Sequence, residues 1–381
     1  MSWITNRRDA IKAGAMLAVY GIASAQDSKQ VRGEDLRRAG AKAADQLEGM
    51  RRKAVDFLAA TQGGDGSWTR REAVGVTGVI ATGLLDAGMP PDEEIAARAL
   101  EFLKAHVQDD GGIYAEKSSH RNYETSIATM ALVRANEDGR YDGMIARAAS
   151  FLKGLQWDEG EGLESGDEAY GGAGYGKSSR PDLSNTTFFV EALKDAGIPG
   201  DDPAMQKALI FISRCQNLES EHNTTSFAPT INDGGFYYTI AAGGSSKAGA
   251  DSAGGLRSYG GMTYAGLKSM IYAGLDKDDP RAKAAYDWAR SHYTLERNPG
   301  LGQQGLYYYY QALAKALDAL KVERIVDING QEHDWKSDLT WELLGRQNEN
   351  GSWVNSSDRW YEGDPHLVTA YVLMALKHCA T

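Results

Sequence analysis

The feature that most constrains this chain is a unit repeated along nearly its whole length. An amphipathic stretch of helical period ends in Gln62 and runs into Gly63-Gly64-Asp65-Gly66-Ser67-Trp68. Another ends near Gln108, before Asp109-Asp110-Gly111-Gly112-Ile113-Tyr114. A third ends at Gln156, with Gly171-Gly172-Ala173-Gly174-Tyr175-Gly176 after an insertion. A fourth ends at Gln216, with Asp233-Gly234-Gly235-Phe236-Tyr237 after a second insertion. A fifth, more degenerate, runs through Tyr286, Trp288 and His292, and the last is Gln347 with Asn350-Gly351-Ser352-Trp353. The first intervals between glutamines are 46, 48 and 60 residues. Self-similarity on this scale marks a repeat architecture. The 44 glycines against 9 prolines, with glycine well above its usual ~7%, agree with many short turns.

Each unit continues into a second helix with its own signature. Thr77, Thr125, Thr186, Thr263 and Thr369 each precede a large apolar residue by seven positions: Leu84, Leu132, Leu193, Met270 and Leu376. In the fifth unit Leu306 and Leu313 take those places. Seven residues are about two turns, so both positions share one helix face. Ala87-Gly88, Ala196-Gly197 and Ala273-Gly274 supply the glycine that commonly follows a last turn.

The two helix types differ in polarity. The first carries charges, as in Arg51-Arg52-Lys53-Ala54-Val55-Asp56-Phe57-Leu58, and needs a solvent face. The second is small and apolar nearly all round, as in Val76-Thr77-Gly78-Val79-Ile80-Ala81-Thr82-Gly83-Leu84-Leu85, and is expected to be buried on most sides. Six of each, alternating, predict two concentric rings: an all-α, α6/α6 toroid in a single domain over residues 35–381. An open superhelix is the structural alternative. A propeller is excluded because the units have helical rather than alternating periodicity.

Residues 1–25 read as an address. Asn6-Arg7-Arg8-Asp9-Ala10-Ile11-Lys12 precedes a weakly apolar stretch, Ala13 to Ile22, and Ala23-Ser24-Ala25 offers a peptidase site. That order is expected of a twin-arginine export signal, with residues 26–34 as linker and the periplasm or cell envelope as destination. An amphipathic first helix is the alternative. The net charge is −11, and −13 once the leader is removed. Such a charge repels phosphate backbones and argues against nucleic-acid binding. No apolar run reaches the ~18 residues of a spanning helix. Two cysteines, Cys215 and Cys379, exclude a disulfide scaffold and a thiolate-only metal cage. An oxidising destination permits a bond between them, and the spacing gives no sign of one.

The units resemble the QW repeats of the terpene cyclase and protein prenyltransferase superfamily. Gln62 to Trp68 and Gln347 to Trp353 match that pattern best. The resemblance covers nearly the whole chain after the leader and implies an α6/α6 barrel. In physical terms the glutamine amide is suited to backbone groups at a neighbouring helix end while the aromatic ring packs beside it. These residues are therefore read as scaffold, and function is sought where turns lead into the inner helices.

Four branches of that superfamily can be tested on the residues. A protonation-initiated cyclase needs an Asp-x-Asp-Asp-Thr motif whose acid stays protonated and dry. The matching place reads Asp182-Leu183-Ser184-Asn185-Thr186. Only the first aspartate survives, Ser184 stands where the usual proton donor would be, and Asn185 replaces the third aspartate. Any catalysis is expected to centre on Asp182, Asn185 and Arg180, with Asp182 as a helix cap the competing reading. A protein prenyltransferase needs an Asp, Cys and His zinc site. Tyr259-Gly260-Gly261-Met262-Thr263-Tyr264 lacks Asp and Cys, and His366 falls two places before the family's histidine, beside Asp364. No metal and no cofactor is implied. A thioester domain needs a cysteine where Gly300-Leu301-Gly302-Gln303-Gln304 has Leu301. A polysaccharide lyase on a toroid would need a base and a neutralising cation, which Arg121, Tyr123 and Glu124 could supply.

What remains is a cavity with an aromatic lining. Tyr123, Tyr175, Tyr259, the run Tyr307 to Tyr310, and Trp360-Tyr361 all fall near inner-helix starts. With Gln304 and His366 they complete the expected binding set. Aromatic faces stabilise cations and line isoprenoid tunnels, and they also stack on sugars. The leading expectation is an exported toroid that binds an apolar or isoprenoid small molecule and has a degenerate acid motif. The alternatives are a non-catalytic interaction scaffold and a polysaccharide-active, lyase-like toroid.

Overall fold

The computed structural model describes residues 45–70 and 73–380; the leader and linker lie outside them. Residues 47–381 form one compact unit. Twelve long helices run through the described residues. Residues 45–61 form α1. Then follow α2 (Ala73–Asp86), α3 (Glu94–Lys104), α4 (Arg121–Arg134), α5 (Asp142–Lys153), α6 (Leu183–Asp195) and α7 (Pro203–Arg214). The rest are α8 (Gly260–Tyr272), α9 (Pro280–Ser291), α10 (Leu306–Ala319), α11 (Trp335–Arg346) and α12 (Pro365–Lys377). One two-stranded hairpin, Ile325–Val326 against Glu332–His333, precedes α11.

Helix starts follow from local chemistry. Asp202, Asp279 and Asp364 each accept a backbone N–H from two residues on, and each is followed by a proline in the first helical turn. An N-cap oxygen plus a residue with no N–H to strand is a strong initiation signal. Gly88, Gly197 and Gly274 all adopt positive φ. The amides of Met89, Ile198 and Leu275 then reach back to the carbonyls of Leu84, Leu193 and Met270 at 3.0–3.1 Å, the long bond that closes a helix after a left-handed residue.

The even-numbered helices pack side by side in the order α2, α4, α6, α8, α10, α12, and α12 returns to α2. The ring is closed. The odd-numbered helices lie outside it, with α3, α5 and α9 each against the inner helix before it and α7 against both α6 and α8. The fold is an all-α toroid of two concentric rings.

The repeat residues join the rings. The Gln62 amide donates to Gly66 in its own turn and to Ile95 in the first turn of α3, both at 3.0 Å. Gln156 does the same to Gly171 and Ala204 of α7, Gln216 to Gly234 and Arg281 of α9, and Gln347 to Gly351 and Met50 of α1. The carbonyls that accept belong to the next outer helix. Gln108 departs from this, donating to His106 and Tyr114 of its own turn. The indoles of Trp68 and Trp353 each donate to the carbonyl ten residues back, Leu58 and Leu343, at 2.8 Å. On the inner ring, Thr125, Thr186, Thr263 and Thr369 each accept the amide of the segment after the glycine turn, Ile113, Ala173, Phe236 and Trp353, at 3.0–3.1 Å.

The inner helices are less uniformly apolar than their sequences suggest. Near their C-terminal ends, charges link all six, most of them buried, with Lys377 exposed. Lys377 of α12 pairs with Asp86 of α2 at 2.6 Å, and Asp86 with Arg134 of α4 at 2.7 Å. Arg134 also holds Asp195 of α6 at 2.8 Å. Glu191 of α6 holds Lys268 of α8 and, across the lumen, Lys315 of α10. Burial opposes the charge on Glu191, but the two ammonium groups outweigh it and hold its carboxyl well below the ordinary range. This network fills the hub at that end.

Candidate functional site

The opposite end of the hub is hollow. The first turns of all six inner helices surround a cavity of ≈ 180 Å³. They contribute Val76, Tyr123, Ser184, Asn185, Phe188, Met262, Tyr308, Leu367 and Tyr371. The segments leading into them add His120, Tyr175, Tyr238, Tyr259, Asn298, Leu301, Trp360, Tyr361 and Glu362. The walls are mostly aromatic. Tyr123 meets Phe188 edge to face at 5.1 Å, and His120 meets Tyr175 likewise at 4.7 Å. Tyr308 leans on Phe188 and Tyr371. Burial raises the phenols of Tyr238, Tyr259 and Tyr371 above their ordinary value and that of Tyr308 to about 12, so all four stay neutral donors at physiological pH.

A ring of helix N-termini would ordinarily invite an anion. Here the amides are occupied. Asn122 donates to Tyr175, Leu183 to Tyr238 and Gly260 to Pro299 through their backbones. Gly261 donates to the Asn298 side chain at 2.9 Å. At α10 the amides of Tyr307 and Tyr308 donate to Glu362, at 3.3 and 2.7 Å. The Asn355 amide adds a third bond to Glu362 at 2.6 Å. Glu362 is only 1% exposed. Burial raises its carboxyl above the usual value against these donors.

Asp182 is 3% exposed and is the N-cap of α6. Its carboxylate accepts the Asn185 backbone amide at 2.9 Å and the Asn185 side-chain amide at 2.8 Å. The Tyr238 phenol lies near enough to act on its titration. Burial, the largest influence, raises its pKa in spite of these bonds and of the nearby Lys247 charge. Asp182 therefore stands one layer behind the wall, and Asn185 and Tyr238 present themselves to the cavity in front of it. Ser184 is on the wall, near enough to the Tyr308 phenol to act on its titration. Arg180 reaches the Ala241 carbonyl and the Ser245 hydroxyl, at 3.5 and 3.4 Å.

Of the residues expected from sequence, the structure brings together Asn185, Tyr123, Tyr175, Tyr259 and Trp360 on the cavity wall. The others lie off it. Tyr307 turns away and packs edge-on to Tyr310, while its neighbour Tyr308 faces in. Arg121 lies over the Tyr114 ring at 4.8 Å. Glu124 is buried and pins the turn before α4, accepting Ala115 N and the Ser118 hydroxyl. Gln304 accepts a bond from Arg359. The His366 ring bonds to Asp364, the cap of its own helix, at 2.9 Å and stacks on Phe57. Sequence reasoning missed Tyr238, Phe188, Asn298, Tyr371 and Glu362. The signal for Phe188 and Tyr371 was available, since both sit two residues beyond a repeat threonine, one on α6 and the other on α12.

Trp360 and Tyr361 are consecutive, non-glycine, and both left-handed, at φ 58° and 64°. Such backbone costs energy and persists where the surroundings fix it. Here Asn355 and Glu362 bond to each other on both sides of that turn, backbone and side chain alike. The two rings, each about 40% exposed, are held at the cavity's rim. Among the described residues no group of three or more His, Cys, Asp or Glu is placed to hold a metal ion, and no helix is long and apolar enough to cross a membrane. Cys215 and Cys379 are both buried and free.

Residues 70–242 match the family model of the squalene-hopene cyclase C-terminal domain. Over that stretch the chain is similar to squalene-hopene cyclases. Solved structures agree with that at the level of fold. A ligand-free variant of type II terpene cyclase MstE from Scytonema aligns with a TM-score of 0.54 at 15% identity, over 89% of this chain and 98% of the other. Ligand-free MstE itself gives 0.51 at 15% identity, over 87% and 97%. A protein from Actinoplanes gives 0.51 at 16% identity, over 88% and 100%. No curated protein matches the chain in sequence.

Proposed function

We propose that this toroid binds an apolar, isoprenoid-type ligand in its aromatic cavity and acts on it by proton transfer, as a cyclase with an altered acid site. The aromatic wall, with rings from α4, α6, α10 and α12 and from the segments leading into the helices, carries this reading. Neutral phenols and ring faces accommodate hydrocarbon and stabilise developing positive charge. Ser184, where the family's acid would be, is far too weak to protonate an alkene. The proton source is instead Asp182, kept above its usual pKa by burial, with the Tyr238 phenol of the cavity wall near it. Protonated Asp182 passes its proton to the Tyr238 oxygen as Tyr238 releases its own to the ligand. The carboxylate left behind is satisfied by the two Asn185 donors.

The test is lipid extraction of the purified protein followed by mass spectrometry, then incubation with C15 to C30 polyprenes and product analysis. A co-purifying or loadable isoprenoid is expected. A cavity that holds only water under every loading would sink the reading. The polar groups on the wall, Asn185, Asn298 and His120, favour one second reading, a polysaccharide-active enzyme. Unsaturated, ultraviolet-absorbing products from uronic-acid polymers would select it. Export rests on the arginine pair, apolar stretch and Ala-Ser-Ala of residues 1–25, and cell fractionation with and without the Arg7-Arg8 pair tests it.

A further inference from the structure

We infer that the ligand carries an anionic head group, held outside the aromatic cavity by Arg180, Lys247 and Arg359. This rests on the reading of the cavity above and adds a substrate class to it. The three cations converge on one part of the rim. The Lys247 ammonium sits 4.0 Å from the ring centre of Tyr238, and the Arg359 guanidinium 4.5 Å from that of Trp360. Both rings line the cavity. Arg180 is tied to the loop at Ala241 and Ser245, just after Tyr238. Lys247 lies within the electrostatic reach of both arginines, and its ammonium is held below the ordinary lysine value by burial first and by their charge as well.

Three like charges brought together on a chain with net charge −11 need a reason. Internal pairing does not supply one: among the described residues none of the three has a carboxylate within 4.0 Å. Several buried or half-buried cations elsewhere are paired with carboxylates, as Arg134, Lys207 and Lys268 are, while Arg51 and Arg214 instead donate to backbone carbonyls. Asp182 lies close enough for its charge to act on Lys247, but both its oxygens already accept from Asn185. Nor do the N-termini of α4, α6, α8 and α10 stand open to an anion, since amides there already have partners. A carboxylate or phosphate at the rim would meet two guanidinium groups and one ammonium, none of them paired with a carboxylate among the described residues, for charge-assisted bonds. Its hydrocarbon tail would pass between Tyr238 and Trp360 into the cavity. Squalene itself, a hydrocarbon, has no group for these cations.

The test measures binding of three C15 ligands, farnesol, farnesoic acid and farnesyl monophosphate, to the full chain and to Lys247→Met and Arg359→Gln. Both variants change a partly or fully exposed side chain, and circular dichroism verifies their fold. The expected result is that one anionic ligand binds more tightly than farnesol at low salt. Each variant should weaken that ligand about tenfold while leaving farnesol unchanged, and whichever anion gains most names the head group. Equal binding of all three ligands, or an anionic preference that neither variant reduces, overturns the inference and leaves the cavity reading intact. If farnesol and both anions all fail to bind, the cavity reading has failed and the rim inference falls with it.

Discussion

Asn185 holds Asp182 twice, through its backbone amide at 2.9 Å and its side-chain amide at 2.8 Å. The carboxylate is thus both the cap of α6 and the only aspartate kept from an acid motif. The Asn185 side-chain oxygen, in contrast, has no hydrogen-bond partner and is buried. That combination makes one substitution unusually informative.

Asp182→Asn is expected to fold. The Asn185 amide can turn over, so that its unpartnered oxygen accepts from the new side-chain amide, and Asn caps a helix about as well as Asp. The stability loss should be at most ~1 kcal/mol, read from urea unfolding. Turnover of any polyprene substrate should vanish. Retained turnover would remove Asp182 from the chemistry and leave it as a cap alone.

Glu191→Gln should be among the most damaging changes in the molecule. It leaves Lys268 and Lys315 buried without their counter-ion, a loss of about 3–5 kcal/mol. The pH dependence has a definite sign. The folded carboxyl is held below its unfolded value, so its contribution is present above the unfolded pKa of ~4.3 and is lost as pH falls below it. Denaturant titrations from pH 7 down to pH 3 should show a shallower acid loss for Glu191→Gln than for the wild type.

Gly171→Ala should unfold one corner of the outer ring. Gly171 has φ +83°, and a Cβ there would lie 1.8 Å from the Lys207 carbonyl oxygen. Backbone cannot retreat as a side chain can, and a cost of about 3 kcal/mol or more is expected. Gly351, with φ +89° and the Lys53 carbonyl at 2.2 Å, occupies the equivalent place and should respond alike. Thermal melts of the two variants check both.

The native protein should give no reaction with a thiol reagent at pH 8. Both sulfurs are buried, and burial holds Cys215 far above its usual pKa and Cys379 at about 12. Two thiols should appear on denaturation. The melting temperature should be indifferent to reductant, because the cysteines are free.

The ring was legible because its determinants recur. A glutamine, a glycine and a threonine at matching places in successive units solve the same backbone problem each time, and the bonds of Gln62, Gln156, Gln216 and Gln347 repeat that solution. The cavity was legible only in outline. Tyr307 and Tyr308 are equivalent in a run of four tyrosines, and which one faces inward depends on helix phase, which Glu362 sets by capping α10. Glu362 itself gave no signal, since it stands two residues before Asp364, the cap that the sequence does advertise. Tyr238 and Lys247 belong to an insertion with no counterpart in other units. The charged network was invisible for another reason. Each member is a single ionic residue near the end of an apolar helix, where basic groups ordinarily reach solvent and favour the helix dipole.

That network has a consequence for whatever sits above it. With Glu191 clamped by lysines from α8 and α10, and Arg134 bridging α2 and α6, the toroid is a vessel stoppered at its base. A hydrocarbon chain seated between the rim rings of Trp360 and Tyr361 and that charged floor has apolar walls around it and ions beneath it.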